Sequence, residues 1–322
     1  SLDLVHDAEG RGTNLENGEV QGDGHKGLLA AGQQADDLQR LAGRLHLDFN
    51  AAFQHIIFVF QHQCCLAAAK QFQQEAPEGH ARLVGVQVDG PTEDFAVFQA
   101  LYNESNGLIR MVSVAPELPG AAEFAEKASR LCTVSVARTE ATYAEAKNVF
   151  SRGASHLSHL FMDMPGIHHR DPGVISAAAE NARVRAELIC DGLHAHPAMV
   201  RFAFSIFGGE RMVLVSDSGR CCGLPDGEYE LGGQAIFLAG GIAKLASGTI
   251  AGSATNLYKC MCLAMEFGIP EEDALRAATY NPACALGLQD KIGTISTGKY
   301  ADFVVCSPDY KEKAVYIGGK AI

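Results

Sequence analysis

From about residue 80 onward, short apolar runs alternate with longer amphipathic ones. Residues 83–88, 109–114, 133–136, 186–190 and 212–215 have the length and β-branched content of buried strands. Residues 121–131, 141–152 and 197–207, and later 256–267 and 271–279, carry apolar residues at helical spacing. Strands alternating with helices of this length predict a parallel sheet covered by helices. Polar residues stand at or just beyond the predicted strand ends: Asp89, Glu117, Asp191 and Asp217. In a (β/α)-barrel the C-terminal strand ends carry the site, so these four positions come first among candidates.

The pattern changes at both ends. Residues 291–322 hold short β pieces at 293–295, 301–305 and 314–319 with turns between them, which predicts a small sheet beside the barrel. Residues 1–80 match no barrel unit. Residues 1–45 are rich in Gly, Asp and Gln with weak periodicity, 56–60 suit a buried strand, and 64–76 suit a helix. Ten glutamines fall within residues 1–75 and four in the rest of the chain. One hypothesis is a change of reading frame or strand near residue 80, because leucine's commonest codon read backwards encodes glutamine; the alternative is a genuine but divergent N-terminal region. Sequencing the transcript across that point tests it. The division is therefore an atypical N-terminal region (1–80), a barrel (81–290) and C-terminal strands of a small β domain (291–322).

Composition narrows the function classes. The chain has 322 residues and a net charge of −12, which argues against nucleic acid as a partner, since phosphate backbones need a basic face. It contains no run of 18 apolar residues, so no membrane span is expected. The ten cysteines show no CxxC spacing and suit reduced, mostly buried thiols of a cytoplasmic protein.

Asp217, in Val213-Leu214-Val215-Ser216-Asp217-Ser218-Gly219, is a carboxylate ending a buried strand, which costs free energy unless it is paired, liganded or catalytic. A loop or helix-cap role is the competing reading. His159 follows His156 at a spacing that puts the two on different faces in part, so at most one is a ligand. His194 and His196 form an HxH pair, but Gly192 before it and Pro197 after it favour a loop or helix start over a strand. A histidine donating to substrate oxygen therefore fits better than a metal pair. Arg170, in His168-His169-Arg170-Asp171-Pro172-Gly173, could hold a phosphate bidentately or simply pair with Asp171 at the surface. Residues 246–253 form a small-residue loop whose amides could approach a ligand.

Taken in order, these segments resemble the N-acetylglucosamine-6-phosphate deacetylase family of amidohydrolases. The resemblance runs from Arg82 to the C-terminus and includes Val86-Gln87-Val88-Asp89-Gly90-Pro91, Val114-Ala115-Pro116-Glu117, Thr139-Glu140-Ala141-Thr142-Tyr143, His159-Leu160-Phe161, Asp191-Gly192-Leu193-His194, Gly248-Thr249-Ile250-Ala251-Gly252-Ser253 and Gly298-Lys299-Tyr300-Ala301-Asp302-Phe303. It implies a (β/α)-barrel with a small β-sandwich domain and a homodimer. It also implies a divalent metal, zinc or similar, and hydrolysis of the N-acetyl group of a small-molecule sugar phosphate. Asp217 falls on the catalytic aspartate, His159 on a metal-binding histidine, and Asp89 where the family uses a glutamate ligand. Arg170, His194, Met162, Asp163 and Ile250 fall on substrate-binding positions, with Arg170 at the phosphate. The chain also departs from the pattern. Arg138 stands where the family has its other metal histidine, and a guanidinium has no lone pair to offer. Met162 replaces an asparagine, Asp163 brings a negative charge beside a phosphate, and the stretch between Asp89 and Glu117 is short. These departures imply an impaired deacetylase; the alternatives are a sugar-phosphate-binding homologue without turnover, or an amidohydrolase with another acyl substrate.

Overall fold

The computed structural model describes residues 84–87, 95–105, 109–219, 221–231 and 234–322. Six strands form one parallel sheet in chain order: β1 (Val84–Gln87), β2 (Ile109–Val114), β3 (Thr133–Val136), β4 (His156–Leu157), β5 (Arg185–Ile189) and β6 (Met212–Val215). The crossovers contain α1 (Phe95–Glu104), α2 (Ala121–Ala128), α3 (Tyr143–Ser151), α4 (Gly173–Glu180) and α5 (Pro197–Phe207). Local chemistry starts two of them. Thr142 and Glu145 close a reciprocal capping box on α3, and Pro197 opens α5 behind the His196 cap.

One apolar cluster joins sheet and helices. Val112, Val134, Leu157, Leu188 and Leu214 from the strands pack with Phe98, Phe124, Phe150 and Val200 from the helices. Two polar clamps secure the start of β6. Arg211 donates to the carbonyls of Ala179, Asn181, Val184, Ile206 and Phe207, taking up acceptors at the ends of α4 and α5. Asn281 Nδ2 donates to Gly209 and Met212 carbonyls, both at 2.7 Å.

Beyond β6 the chain makes a four-stranded antiparallel sheet of β7 (Gly227–Leu231), β8 (Gln234–Ala239), β9 (Ile242–Leu245) and β10 (Ile250–Ser253). Then come α6 (Leu257–Glu266), α7 (Glu271–Ala278) and α8 (Tyr280–Ala285), and a three-stranded antiparallel sheet of β11 (Phe303–Cys306), β12 (Lys313–Ile317) and β13 (Lys320–Ala321). The predicted parallel sheet with covering helices is present. The antiparallel sheet over 227–253 was not predicted, nor were α1, α4 and β4. β4 is two residues long, and α4 is a run of small apolar residues, so neither carries a clear period. Residues 293–295 form no strand. Gly293 has φ +89°, and a Cβ there would lie 2.9 Å from the Ala283 Cβ, so this loop is pressed against α8. The segments expected at 56–60 and 64–76, and Asp89, lie outside the described residues. Among the described residues no helix is long and apolar enough to cross a membrane.

Leu157 lies in the two-residue strand β4, with none of its surface exposed. Leu157→Ala should cost about 2–5 kcal/mol, the range for a truncated core leucine, and denaturant unfolding measures it.

Candidate active site

Parallel strands all end at one edge, and the polar residues after them meet there. Of the six non-glycine residues with positive φ among the described residues, five lie at this edge: Arg138 after β3; His159, Phe161 and Asp163 after β4; and Asp217 after β6. Left-handed backbone is unfavourable for such side chains, Phe161 above all, and persists only where surrounding bonds fix it.

Asp217 shows how that is done. Its carbonyl accepts from Ser253 N at 2.9 Å, and Ser253 O accepts from Gly219 N at 2.8 Å, so β10 clasps the turn from both sides. Gly252, at φ +79°, lies so close that a Cβ there would stand 3.2 Å from the Asp217 carbonyl. The 246–253 segment thus ends in a strand whose Ser253 amide serves Asp217, a correction to the loop expected from its small residues. Ile250 opens that strand, paired with Lys244 of β9.

The Asp217 carboxylate is reachable by solvent on one side but crowded by protein on the others. That crowding raises its pKa above the ordinary aspartate value. The fields of His194, His159 and Arg138 oppose the rise, and Glu187 adds to it. Asp217, His159, His194 and Arg138 therefore form one electrostatic group.

His194 is fixed from behind. Its Nδ1 lies 2.7 Å from Asp191 Oδ2, while Asp191 Oδ1 accepts from the amides of Leu193 and His194, each at 2.9 Å. Hydrogen bonding to Asp191 raises the His194 pKa, against the cost of burial. Burial works against the Asp191 charge, and the bonds from His194 and Leu193 outweigh it, holding this carboxyl below its usual range. His196 does not join the group, because its Nδ1 caps α5 by accepting from Ala198 N at 3.2 Å. The HxH pair is thus divided between an acid-bound imidazole and a helix cap.

His159 Nδ1 lies 3.2 Å from the Met162 carbonyl, and donating there leaves Nε2 as the nitrogen with a lone pair. Met162 thereby contributes its backbone to the site. Asp163 accepts from Arg138 Nη1 at 2.7 Å. Arg170 lies on the exposed turn after β4, with Nη1 2.9 Å from His169 Nε2 in place of the Asp171 pairing. Glu117, at the end of β2, accepts from the Glu140 amide at 2.8 Å and from the Thr139 hydroxyl, so it ties two loops together.

Sequence reasoning missed a buried pair beneath this edge. His156 on β4 and Glu187 on β5 meet at 2.9 Å, Nε2 to Oε1. Burial works against the Glu187 charge, but the fields of His156 and His159 prevail and keep its pKa low. The available signal was a glutamate among apolar residues in Ala186-Glu187-Leu188-Ile189, where strand alternation faces it away from the helices.

The comparisons with known proteins follow this geometry. The model of the amidohydrolase family matches residues 110–322. The chain belongs to the amidohydrolase family. N-acetylglucosamine-6-phosphate deacetylase of Bacillus subtilis is 34% identical over 247 residues, covering 71% of this chain and 62% of that protein. N-acetylgalactosamine-6-phosphate deacetylase of Escherichia coli O157:H7 is 29% identical, covering 79% of this chain and 72% of its own length. The solved N-acetyl-D-glucosamine-6-phosphate deacetylase mutant of Mycobacterium smegmatis, in complex with N-acetyl-D-glucosamine-6-phosphate, superposes with a TM-score of 0.72 at 31% identity. It covers 80% of this chain and 71% of that one. The chain thus spans less than two thirds of the length of the Bacillus relative.

Amidohydrolases are typically metal-dependent, so the donor set has to be tested against a divalent ion. Among the described residues no three of His, Cys, Asp or Glu stand close enough to hold one. Arg138, at the position expected of a ligand, offers only donors, and its guanidinium is engaged by Asp163. The described donor set does not fit a metal centre.

Two outcomes test this amidohydrolase site. Asp191→Asn should lower the protonation midpoint of the His194 imidazole, because the lost carboxylate is what favours its charged form; NMR titration reads the shift. An unchanged midpoint would show that Asp191 only shapes the loop. Gly252→Val should destabilise the fold and disturb the Asp217 turn, since a β-branched residue is strained at φ +79° and its Cβ would crowd the Asp217 carbonyl. A variant with parent-like Tm would argue against the clasp.

Proposed function

We propose that the chain removes the N-acetyl group from N-acetylglucosamine 6-phosphate, with Asp217 as general base and then general acid. The observation that carries this reading is the placement of Asp217. It ends β6 in a clasped, strained turn, within the fields of His159 and His194, in a fold shared with deacetylases of this substrate class. Asp217 takes a proton from the attacking water as the water oxygen bonds to the acetyl carbon. It returns that proton to the sugar nitrogen as the carbon–nitrogen bond breaks and acetate leaves. His194, held by Asp191, is placed to donate to a substrate oxygen, and Arg170 is the candidate for the 6-phosphate. The raised pKa of Asp217 puts the acid limb of the rate above the ordinary aspartate value, with rate lost as falling pH protonates the base. A homodimer in the cytoplasm belongs to the same proposal, and light scattering of the purified protein tests the dimer.

A second reading is favoured by one observation. Arg138, paired with Asp163 at 2.7 Å, stands where the resemblance places a metal ligand, and Asp163 adds a negative charge to the expected substrate-binding stretch. On that reading the chain binds sugar phosphates without turning them over.

Acetate release from N-acetylglucosamine 6-phosphate separates the two, with the galactosamine isomer as competitor. Asp217→Asn should lower kcat by about 10²–10⁴-fold with KM little changed. Equal rates for variant and parent would remove Asp217 from the mechanism. Tight binding with no acetate from the parent would establish the second reading.

A further inference from the structure

We infer that the Arg138–Asp163 ion pair stands in place of the metal in this chain: a fixed guanidinium supplies the positive charge of the site, which takes an N-acylated sugar phosphate without a divalent ion. The inference rests on the proposed function for its ligand but not for its metal content.

The two residues come from different strand ends. Arg138 follows β3 with φ +48°, and Asp163 follows β4 with φ +50°. Both therefore hold a backbone conformation that needs outside support, and the pair supplies some of it. The Arg138 Nη1 to Asp163 Oδ2 distance of 2.7 Å is that of a strong charge-assisted bond. A second bond runs beside it, from Thr139 N to the Asp163 carbonyl at 2.9 Å. The β3 and β4 loops are thus stitched twice, and the guanidinium cannot swing away without breaking a pair and loosening a turn.

The charges explain why the substitutions belong together. Arg138 alone would add an unbalanced cation beside His159 and His194. Asp163 alone would put an anion next to a phosphate subsite. Together they cancel at a distance while leaving a directed cation at short range, and that cation acts on Asp217 in the direction of the ionised form. Side-chain exposures of 39% for Arg138 and 59% for Asp163 leave the pair open to a ligand, so it is part of the site's wall. A dication placed among these groups would meet a fixed positive charge, with no third donor among the described residues to offset the repulsion.

The test uses chelator-treated full-length protein. Zinc content is measured by mass spectrometry after dialysis against zinc, and N-acetylglucosamine 6-phosphate is titrated by calorimetry with and without chelator. The parent should retain well under one equivalent of zinc and bind the sugar phosphate equally in both conditions. Arg138→Ala should weaken the sugar phosphate by roughly tenfold or more, the scale of a lost charge-assisted bond, with or without chelator. Arg138→His combined with Asp163→Ala should gain zinc. A full equivalent of zinc in the parent would overturn the inference, as would affinity that falls with chelator and returns with zinc, or parent-like affinity in Arg138→Ala. If the parent binds no sugar phosphate in either condition, the proposed ligand fails, and the zinc contents of parent and double variant still decide the role of the pair.

Discussion

The parallel register of β1 through β6 is the constraint on which the site depends. Because a helix after each of β1 through β5 returns the chain to the opposite edge, all six strands end on the same side. Arg138, His159, Asp191 and Asp217 are far apart in sequence, yet each is within three residues of a strand end. The rigid sheet brings them to one edge, and the clasped turns beyond the strand ends set their orientation. The rigidity comes from the apolar cluster behind it and from Arg211 and Asn281, which secure β6 at its other end.

On that frame the site is built from bonds to backbone as much as from side chains. Ser253 and Gly252 clasp Asp217, the Met162 carbonyl orients His159, and the amides after Asp191 hold the carboxylate that holds His194. Each bond fixes a residue in a conformation it would otherwise leave. The strain is tolerable because the sheet does not yield, and what it secures is a fixed orientation of Asp217, His159, His194 and Arg138.

Much of the fold was legible because its signals are local. Residues 109–114, 133–136 and 212–215 are strands in both pattern and structure, and α5 spans the predicted 197–207. What escaped lacked a period. β4 contributes two residues and is recognisable only from its neighbours, through pairing of His156 with Arg185 and of Leu157 with Ala186. The 227–253 sheet turns at Gly240 and Gly241 between short strands, which the helix–strand rhythm on either side obscured. Asp217, His159 and His194 could be nominated because a polar group after an apolar run is visible in sequence, and the structure brings those three into one group. Asp163 was nominated only through the family resemblance, and the one mark of Glu187, a glutamate among apolar strand residues, did not reveal its partner. An aspartate in a loop and a glutamate in a strand acquire meaning only from the partner across the sheet, and partners 25 and 31 residues away leave no local trace.

The central claim is that this edge holds a protein-borne cation beside a poised aspartate where relatives of this family are typically built around a metal. A crystal structure of zinc-equilibrated protein with N-acetylglucosamine 6-phosphate, with anomalous data at the zinc edge, addresses it most directly. The account predicts the acetamido group between Asp217 and Arg138, the Arg138–Asp163 pair intact, and no anomalous peak beside His159. A strong zinc peak at His159, with Arg138 turned away from Asp163, would contradict it.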